Sequence, residues 1–232
     1  MKKIIAVKLF VFLGILFLLD RAMASISDEF IKKTQTCAAC HGPQGISLNP
    51  EWPNLAGQHA TYLRKQLNDY KRGKTRRDVM MTAIAASLSE QDILDVAQYY
   101  ASLKCSEGKT PQKYNLLGEK IYRVGDFEKG IAACIACHGP KGTGNDEAGF
   151  PVLSGQKARY TIQQLKAFKH QTRCDDLNHM MQDISARMSQ EDMEAVAYYI
   201  QGISANTPKR FPVSSKMSSQ RRLGPTQNVS FG

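Results

Sequence analysis

The chain has 232 residues and a mass of 25.8 kDa, a size that fits one large domain or two small ones. Its composition, 42% hydrophobic and 22% charged, is that of a globular protein and excludes a disordered or fibrous chain. Of the formal net charge of +10, residues 1–24 carry +3 and residues 205–232 carry +5, which leaves +2 for residues 25–204 and argues against a nucleic-acid-binding surface.

Residues 1–24 have the pattern of a cleaved export signal. Two lysines follow the initiating methionine, an apolar run extends from Leu9 to Leu19, and small residues lead up to Ala24. The alternative, an uncleaved membrane anchor, needs about 20 apolar residues, whereas this uninterrupted run has 11. We therefore expect cleavage after Ala24 and an exported, soluble protein in a compartment that permits disulfides.

An internal duplication covers most of the remaining chain. The segment Cys37–Pro43 reappears as Cys134–Pro140, 97 positions later, and matches continue to the end of each copy with three inserted residues in all. The duplication predicts two domains, 25–105 and 114–204, joined by a linker over 106–113.

Each copy is predicted to contain three helices. No segment alternates for long in the manner of a strand, so both domains are expected to be all-α. The first helix, over 26–36 and over 116–133, should end at the cysteine motif, where Gly-Pro follows. The other helices should begin at hydroxyl side chains that cap free N–H groups, namely Thr61, Ser89, Thr161 and Ser189. Domains this small, with long loops, need a bound group to complete their cores.

A Cys-x-x-Cys-His sequence occurs twice and carries the chemistry. The residues are Cys37, Cys40 and His41 in the first copy and Cys134, Cys137 and His138 in the second. This is the attachment motif of c-type haem, in which both thiols form thioethers to the vinyl groups and the histidine binds the iron. A thioredoxin-like pair or half of a zinc site needs no histidine directly after the second cysteine. The motif therefore predicts two covalently bound haem c groups.

The sixth ligand of each iron decides between electron transfer and ligand chemistry. Methionine is the expected donor, because a thioether favours ferrous iron and raises the potential. Met80 and Met81 lie in the predicted loop ahead of the last helix of the first copy, and Met180 and Met181 hold the same place in the second. The repeat does not choose within either pair. The histidines that remain as alternatives are His59, His170 and His179.

Together these motifs resemble the dihaem cytochrome c4 family. The resemblance covers about residues 26–203 and includes the repeated segments 53–58, 151–156, 81–92 and 181–192. It implies two tandem class I cytochrome c domains related by pseudo-twofold symmetry, with the haem propionate edges facing each other across the interface. It also implies Met81 and Met181 as the axial ligands, because the family's methionine lies seven residues before the apolar position that precedes the capping serine.

The same resemblance implies a function and a location. It implies single-electron transfer in the bacterial periplasm, from a membrane quinol-oxidising complex to a terminal haem-copper oxidase. With both axial positions filled, the iron has no vacancy for a substrate, so we expect an electron carrier and not an enzyme. We also expect the protein to be a monomer. Two alternatives stay open. One is the electron-accepting subunit of a larger oxidoreductase, such as a flavocytochrome sulfide dehydrogenase, and the other is a dihaem peroxidase or gas sensor with an open axial site.

Three features lie outside these motifs. Cys105 and Cys174 have no counterparts in the opposite copy, and they either form an interdomain disulfide or remain free thiols. The basic tail 205–232 is predicted to be disordered, and it either associates with an anionic membrane surface or serves only as a solubilising extension. Pro53 and Pro151 either accept a hydrogen bond from the haem-binding histidine or serve as turn residues.

A basic cluster lies near the first methionine pair. Its members are Arg64, Lys65, Lys71, Arg72, Lys74, Arg76 and Arg77. The corresponding stretch of the second copy includes Asp175 and Asp176. The cluster is either a surface that steers an acidic redox partner, with some members paired to haem propionates, or a solvated face.

Overall fold

The computed structural model describes residues 33–205. The predicted export signal 1–24 and all but the first residue of the predicted tail 205–232 lie outside the described residues. Residues 33–205 form helices and loops and contain no β-strand beyond three isolated bridges, which confirms the all-α prediction. Within this range, none of the helices combines the length and the apolar character required to cross a bilayer.

The helices fall into two halves that follow the sequence repeat. The first half contains α1 over 33–41, α2 Ala60–Arg72, α3 Val79–Ala86 and α4 Glu90–Ser102. The second half contains α5 Asn115–Arg123, α6 Ile135–His138, α7 Ala158–Lys169, α8 Met180–Arg187 and α9 Gln190–Gly202. Short 3₁₀ turns at Gln112–Tyr114 and Leu177–His179 precede α5 and α8.

The last helix of each half begins at the predicted capping box. Ser89 Oγ accepts the Asp92 N–H at 3.1 Å, and the Asp92 carboxylate accepts the Ser89 N–H at 2.9 Å. Ser189 and Asp192 repeat both contacts at 3.1 and 2.9 Å. Each box satisfies two N–H groups that the first turn of a helix leaves unpaired, and it fixes the start of the helix that buries the most apolar surface in its half.

The predicted first helices are wrong in extent. Over 116–133 the chain forms α5, then a loop closed by an Asp126–Ile131 bridge, and then the short α6. Gly125 ends α5 with φ +79°, and a Cβ there would lie 2.3 Å from the carbonyl oxygen of Ile131. The first helix of the chain does not end at residue 36 but continues through the cysteine motif to residue 41.

The middle helices begin before the predicted threonines. Helix α2 starts at Ala60, and α7 starts at Ala158. Thr161 lies inside α7, where its hydroxyl donates to the carbonyl of Lys157 at 3.0 Å. A hydroxyl that donates to a carbonyl in this way does not cap a free N–H group.

The two halves meet through a symmetric pair of amide contacts. Gln58 Nε2 donates to the carbonyl of Val152 at 2.9 Å, and Gln58 Oε1 accepts the N–H of Val152 at 2.9 Å. Gln156 makes the same two contacts with the backbone of Asn54, also at 2.9 Å. The two glutamines are 98 positions apart in the sequence, as are Asn54 and Val152, so the contacts obey the pseudo-twofold symmetry. All four residues are buried.

The end of the first domain packs within its own half, and the linker packs against the second half. The Cys105 thiol lies 3.6 Å from the carbonyl of Gly57 in the first half, and Thr110 Oγ1 donates to the carbonyl of Tyr199 in the second at 3.4 Å. Cys105 and Cys174 are both free thiols, and no disulfide occurs among the described residues. The structure therefore has the free thiols and not the interdomain disulfide that was the other alternative for this pair.

Candidate functional site

Each motif histidine is held by the carbonyl of a proline. His41 Nδ1 lies 2.9 Å from the Pro53 oxygen, and His138 Nδ1 lies 3.0 Å from the Pro151 oxygen. A carbonyl only accepts, so Nδ1 carries the proton and Nε2 keeps its lone pair. Burial lowers the pKa of both imidazoles, against the opposing effect of these hydrogen bonds. Of the two alternatives for Pro53 and Pro151, the structure has the hydrogen-bond acceptor, and both rings are neutral and ready to bind a metal through Nε2.

The four motif thiols lie beside these histidines on short helical segments. Cys37 and Cys40 are on α1, while Cys134 precedes α6 and Cys137 lies within it. Cys37 packs against the apolar core of the first half, and Cys134 packs against that of the second. Burial raises the pKa of Cys37, and it raises that of Cys134 to about 11, so both remain thiols at neutral pH.

The methionine pairs lie in helices and not, as predicted, in loops. Met80 and Met81 are in the first turn of α3, where the Asp78 carboxylate accepts their N–H groups at 3.1 and 2.9 Å. Met180 and Met181 begin α8, and the Asp176 carboxylate accepts the N–H of Met181 at 2.8 Å. The aspartates cap both helices, a function that the sequence analysis did not assign to them.

The members of the first methionine pair differ in burial, whereas Met180 and Met181 are both half-buried. Met80 is 56% exposed, whereas Met81 is half-buried. Met181 packs against the same apolar core as Cys134, and that core also contains Ile121 and Met193. The second half thus brings one methionine and the first motif cysteine to a single core.

None of the three alternative histidines lies in a comparable position. His59 Nε2 lies 2.9 Å from the carbonyl of Thr143 in the opposite half. His179 is exposed, and its Nδ1 lies 2.8 Å from Gln182 Nε2. His170 is exposed at the end of α7.

Lys71, a member of the predicted basic cluster, and Lys169, which was not predicted to have a role, brace the segments that follow the methionine helices. Lys71 Nζ donates to the carbonyl of Leu88 at 2.6 Å, and Lys169 Nζ donates to the carbonyl of Met188 at 2.6 Å. Each contact ties the end of α2 or α7 to the residue before the capping serine. The signal was present in the sequence, because the two lysines are 98 positions apart, in register with the repeat.

Two buried arginines lie between the halves. Arg76 and Arg173 are 4% and 6% exposed, and their backbones form an isolated antiparallel bridge. Arg76 Nη2 donates to the hydroxyl of Tyr160 at 2.8 Å, and Arg173 Nη2 donates to that of Tyr62 at 2.9 Å. Each guanidinium therefore bonds to the opposite half. Arg76 was predicted as part of a surface cluster, but it is a buried interface residue.

This interface carries more positive than negative charge. Arg173 Nε pairs with the Asp175 carboxylate at 2.6 Å, whereas Arg76 has no carboxylate partner among residues 33–205. Although burial opposes its ionisation, Asp175 has a pKa well below the usual range because of the charge and hydrogen bonds of Arg173. A buried guanidinium without an anion is costly, so the interface is suited to receive further negative charge.

These residues fit one haem c in each half. Each half offers two adjacent thiols, a neutral imidazole with a free Nε2, and thioether side chains on a capped helix. The excess positive charge of the interface matches the propionate groups, which the family resemblance places there. The donor set is that of a covalently bound, two-ligand haem.

The comparisons with known proteins agree with this site. The family model for cytochrome c matches residues 30–104 and 118–204. A cytochrome c4 from Thiocapsa roseopersicina is 45% identical over 174 residues, covering 75% of this chain and 90% of that protein. A thiosulfate dehydrogenase electron acceptor from Thiomonas intermedia is 38% identical over 170 residues, covering 71% and 77%. The crystal structure of reduced cytochrome c4 from Pseudomonas stutzeri matches with a TM-score of 0.72 and 42% identity, covering 76% and 97%.

The paired sites and the match of both halves define a dihaem electron-transfer cytochrome, which holds two covalent haem c groups and is a carrier and not an enzyme. Its two halves have the class I cytochrome c fold. The chain belongs to the cytochrome c4 family.

Proposed function

We propose that this protein carries single electrons in the periplasm from a membrane quinol-oxidising complex to a terminal haem-copper oxidase. The observation that carries the proposal is the equivalent pair of buried, neutral histidines, each bonded through Nδ1 to a proline carbonyl. Two such sites in one chain suit transport of electrons. A bound haem supplies the reversible Fe(III)/Fe(II) couple.

The chain's own residues hold each haem in this proposal. The thioether attachments are Cys37, Cys40, Cys134 and Cys137, and the axial ligands are His41, Met81, His138 and Met181. Met81 is preferred to Met80 because Met80 is more than half exposed. Met181 is preferred to Met180 because it packs against the core that Cys134 also contacts.

The surroundings of each site support rapid electron exchange. The carbonyls of Pro53 and Pro151 fix the ring orientation of the histidines and strengthen their donation to iron. Lys71 and Lys169 brace the segments that follow the methionine helices. Ligands held in place from both sides keep their geometry when the iron changes oxidation state, which keeps the energy needed to rearrange the site small.

The proposal also includes the organisation of the chain. Residues 1–24 direct export and are removed, residues 25–105 and 114–204 are the two cytochrome domains, and residues 106–113 join them. The mature protein is proposed to act as a monomer.

The test uses the purified holoprotein with membranes that contain both respiratory complexes. Quinol should reduce the protein through the first complex, and the terminal oxidase should reoxidise it, with two electrons taken up and released per chain. The reduced protein should bind no carbon monoxide, because a methionine occupies the sixth position. Failure of the membranes to reduce or reoxidise the protein would contradict the assigned partners, and rapid carbon monoxide binding would favour the sensor or peroxidase class.

A second candidate function receives support from one relative. The protein from Thiomonas intermedia that is 38% identical over 170 residues is named as an electron acceptor of thiosulfate dehydrogenase. By this candidate function, the chain accepts electrons directly from a sulfur-oxidising enzyme. Reduction of the purified protein by such a dehydrogenase in the absence of membranes would favour it over the quinol-oxidising complex.

A further inference from the structure

The surfaces around the two methionine helices differ in charge. In the first half, the exposed cations at the end of α2 and in the segment after it are Arg72, Lys74 and Arg77. At the offset of 98 that relates Lys71 to Lys169, the equivalent positions of the second half are His170, Thr172 and Asp175. The second half also has the exposed Asp183 where the first has Ala83. Arg187, also exposed on α8, lies where the first half has Ser87 and balances Asp183, so the second methionine surface is close to neutral whereas the first is basic.

The remaining cations of the predicted basic cluster are largely committed to other contacts. Arg76 is buried between the halves, and Lys71 Nζ donates to the carbonyl of Leu88. Lys65 Nζ pairs with the carboxylates of Asp69 at 2.7 Å and Asp175 at 3.3 Å. The surface cluster therefore narrows to the three cations next to α3, together with Arg64 on α2.

The three cations next to α3 make few contacts that would offset their positive charge. The nearest carboxylate oxygen to Arg72, from Asp69, is 4.0 Å away. Arg77 Nε donates to the carbonyl of Gly73, which leaves its charge uncompensated. The neighbouring Asp78 carboxylate accepts the N–H groups of Met80 and Met81 and offsets one of the three positive charges, so the surface remains positive overall. The positive charge therefore faces solvent.

An apolar patch lies within the same stretch of surface. Val79 is 91% exposed and Met80 is 56% exposed at the start of α3. We call Arg72, Lys74, Arg77, Val79 and Met80 the basic rim. An apolar centre with a charged margin is typical of a protein interface, and the margin sets the sign of the partner's charge.

We propose that the basic rim docks a redox protein whose electron-transfer surface is acidic, and that the equivalent surface of the second half does not. The inference rests on the proposed function, because Met81, one residue from the rim, is the proposed axial ligand of the first haem. The partner exchanges one electron with the first half, and no bond forms or breaks. Electrons reach the second half through the interface between the two domains.

Stopped-flow reduction of the oxidised holoprotein tests the proposal. The probe is reduced plant-type [2Fe–2S] ferredoxin, a small acidic redox protein whose potential lies far below that of a histidine–methionine haem. The variant Arg72→Gln, Lys74→Thr, Arg77→Ser removes three positive charges from the basic rim. At low ionic strength it should lower the second-order rate constant about tenfold, and the difference should disappear at high salt.

The matched control removes the same net charge elsewhere. It combines Lys109→Gln, Lys141→Gln and Lys166→Gln, three exposed lysines of the linker and second half. This control should change the rate constant less than twofold. Equal slowing of both variants would show an effect of net charge alone and would contradict the proposal that the basic rim docks the partner. A rim variant that reacts at the native rate would contradict it as well.

Two further measurements separate this proposal from the proposed function. Both variants should keep the native visible spectrum and the native number of electrons per chain, so a slow rate reports docking. If the unaltered protein accepts no electrons from ferredoxin at any ionic strength, the function as an electron carrier fails. If it accepts them with no dependence on salt or on the rim residues, only the docking surface fails.

Discussion

The Met181→Ala variant should lose its sixth ligand and bind carbon monoxide at the haem of the second half, while both thioether attachments remain. Its reduction potential should fall by on the order of 0.1 V or more, because axial ligands set haem potentials over about 0.8 V. Met81→Ala should have the same effect on the first haem only. Potentiometric titration followed by visible spectra, with and without carbon monoxide, measures both changes.

The neighbouring methionines provide the matched controls. Met80→Ala and Met180→Ala remove a thioether from the same helical turn and should keep native spectra and potentials. If Met81→Ala and Met181→Ala instead kept native spectra and the control variants did not, Met80 and Met180 would be assigned as the axial ligands.

The Arg173→Gln variant should lower the free energy of unfolding by about 3 kcal/mol at pH 7. It leaves the buried Asp175 carboxylate without the guanidinium that lies 2.6 Å away. Lys65 remains at 3.3 Å but is partly exposed and compensates only in part. Urea denaturation of the holoprotein, followed by the haem spectrum and by far-UV circular dichroism, measures the loss.

The pH dependence of this loss has a defined sign. Because Arg173 holds the pKa of Asp175 well below its usual range, the pair stabilises the fold above about pH 3.9. That contribution is lost as the pH falls further. The difference between Arg173→Gln and the unaltered protein should therefore be largest near neutral pH and shrink below about pH 4.

Two variants serve as controls for the arginine pair. Arg173→Gln with Asp175→Asn removes both charges and should recover much of the loss. Arg76→Gln leaves no carboxylate among the described residues without its partner, so it should destabilise the fold less. It should also lower a haem potential, because it removes positive charge from the interface where the family resemblance would place the propionates. A double variant no more stable than Arg173→Gln would contradict the pairing.

Local chemistry explains what the sequence predicted correctly. The two haem attachment motifs and the capping boxes at Ser89 and Ser189 involve residues three or four positions apart, so the sequence itself displays their geometry. The histidine–proline contacts are longer in range, spanning 12 and 13 positions. The sequence left them as one of two alternatives, because a loop proline is explained equally well as a turn residue.

Longer-range contacts explain what the sequence did not predict. Arg76 was assigned to the surface because its neighbours are basic, and only the fold brings it against Tyr160 of the other half. The helix predicted over 116–133 is interrupted because Gly125 and the Asp126–Ile131 bridge close a loop that periodicity cannot reveal. The methionine helices were missed because Asp78 and Asp176 were not recognised as caps.

The central claim is that two haem groups are covalently attached to this chain through Cys37, Cys40, Cys134 and Cys137. Mass spectrometry of the mature protein, unfolded in acidified solvent and paired with iron analysis, tests it most directly. We expect the polypeptide mass plus two haem groups, and two iron atoms per chain. A polypeptide without haem, a haem that dissociates on unfolding, or zinc in place of iron would contradict it.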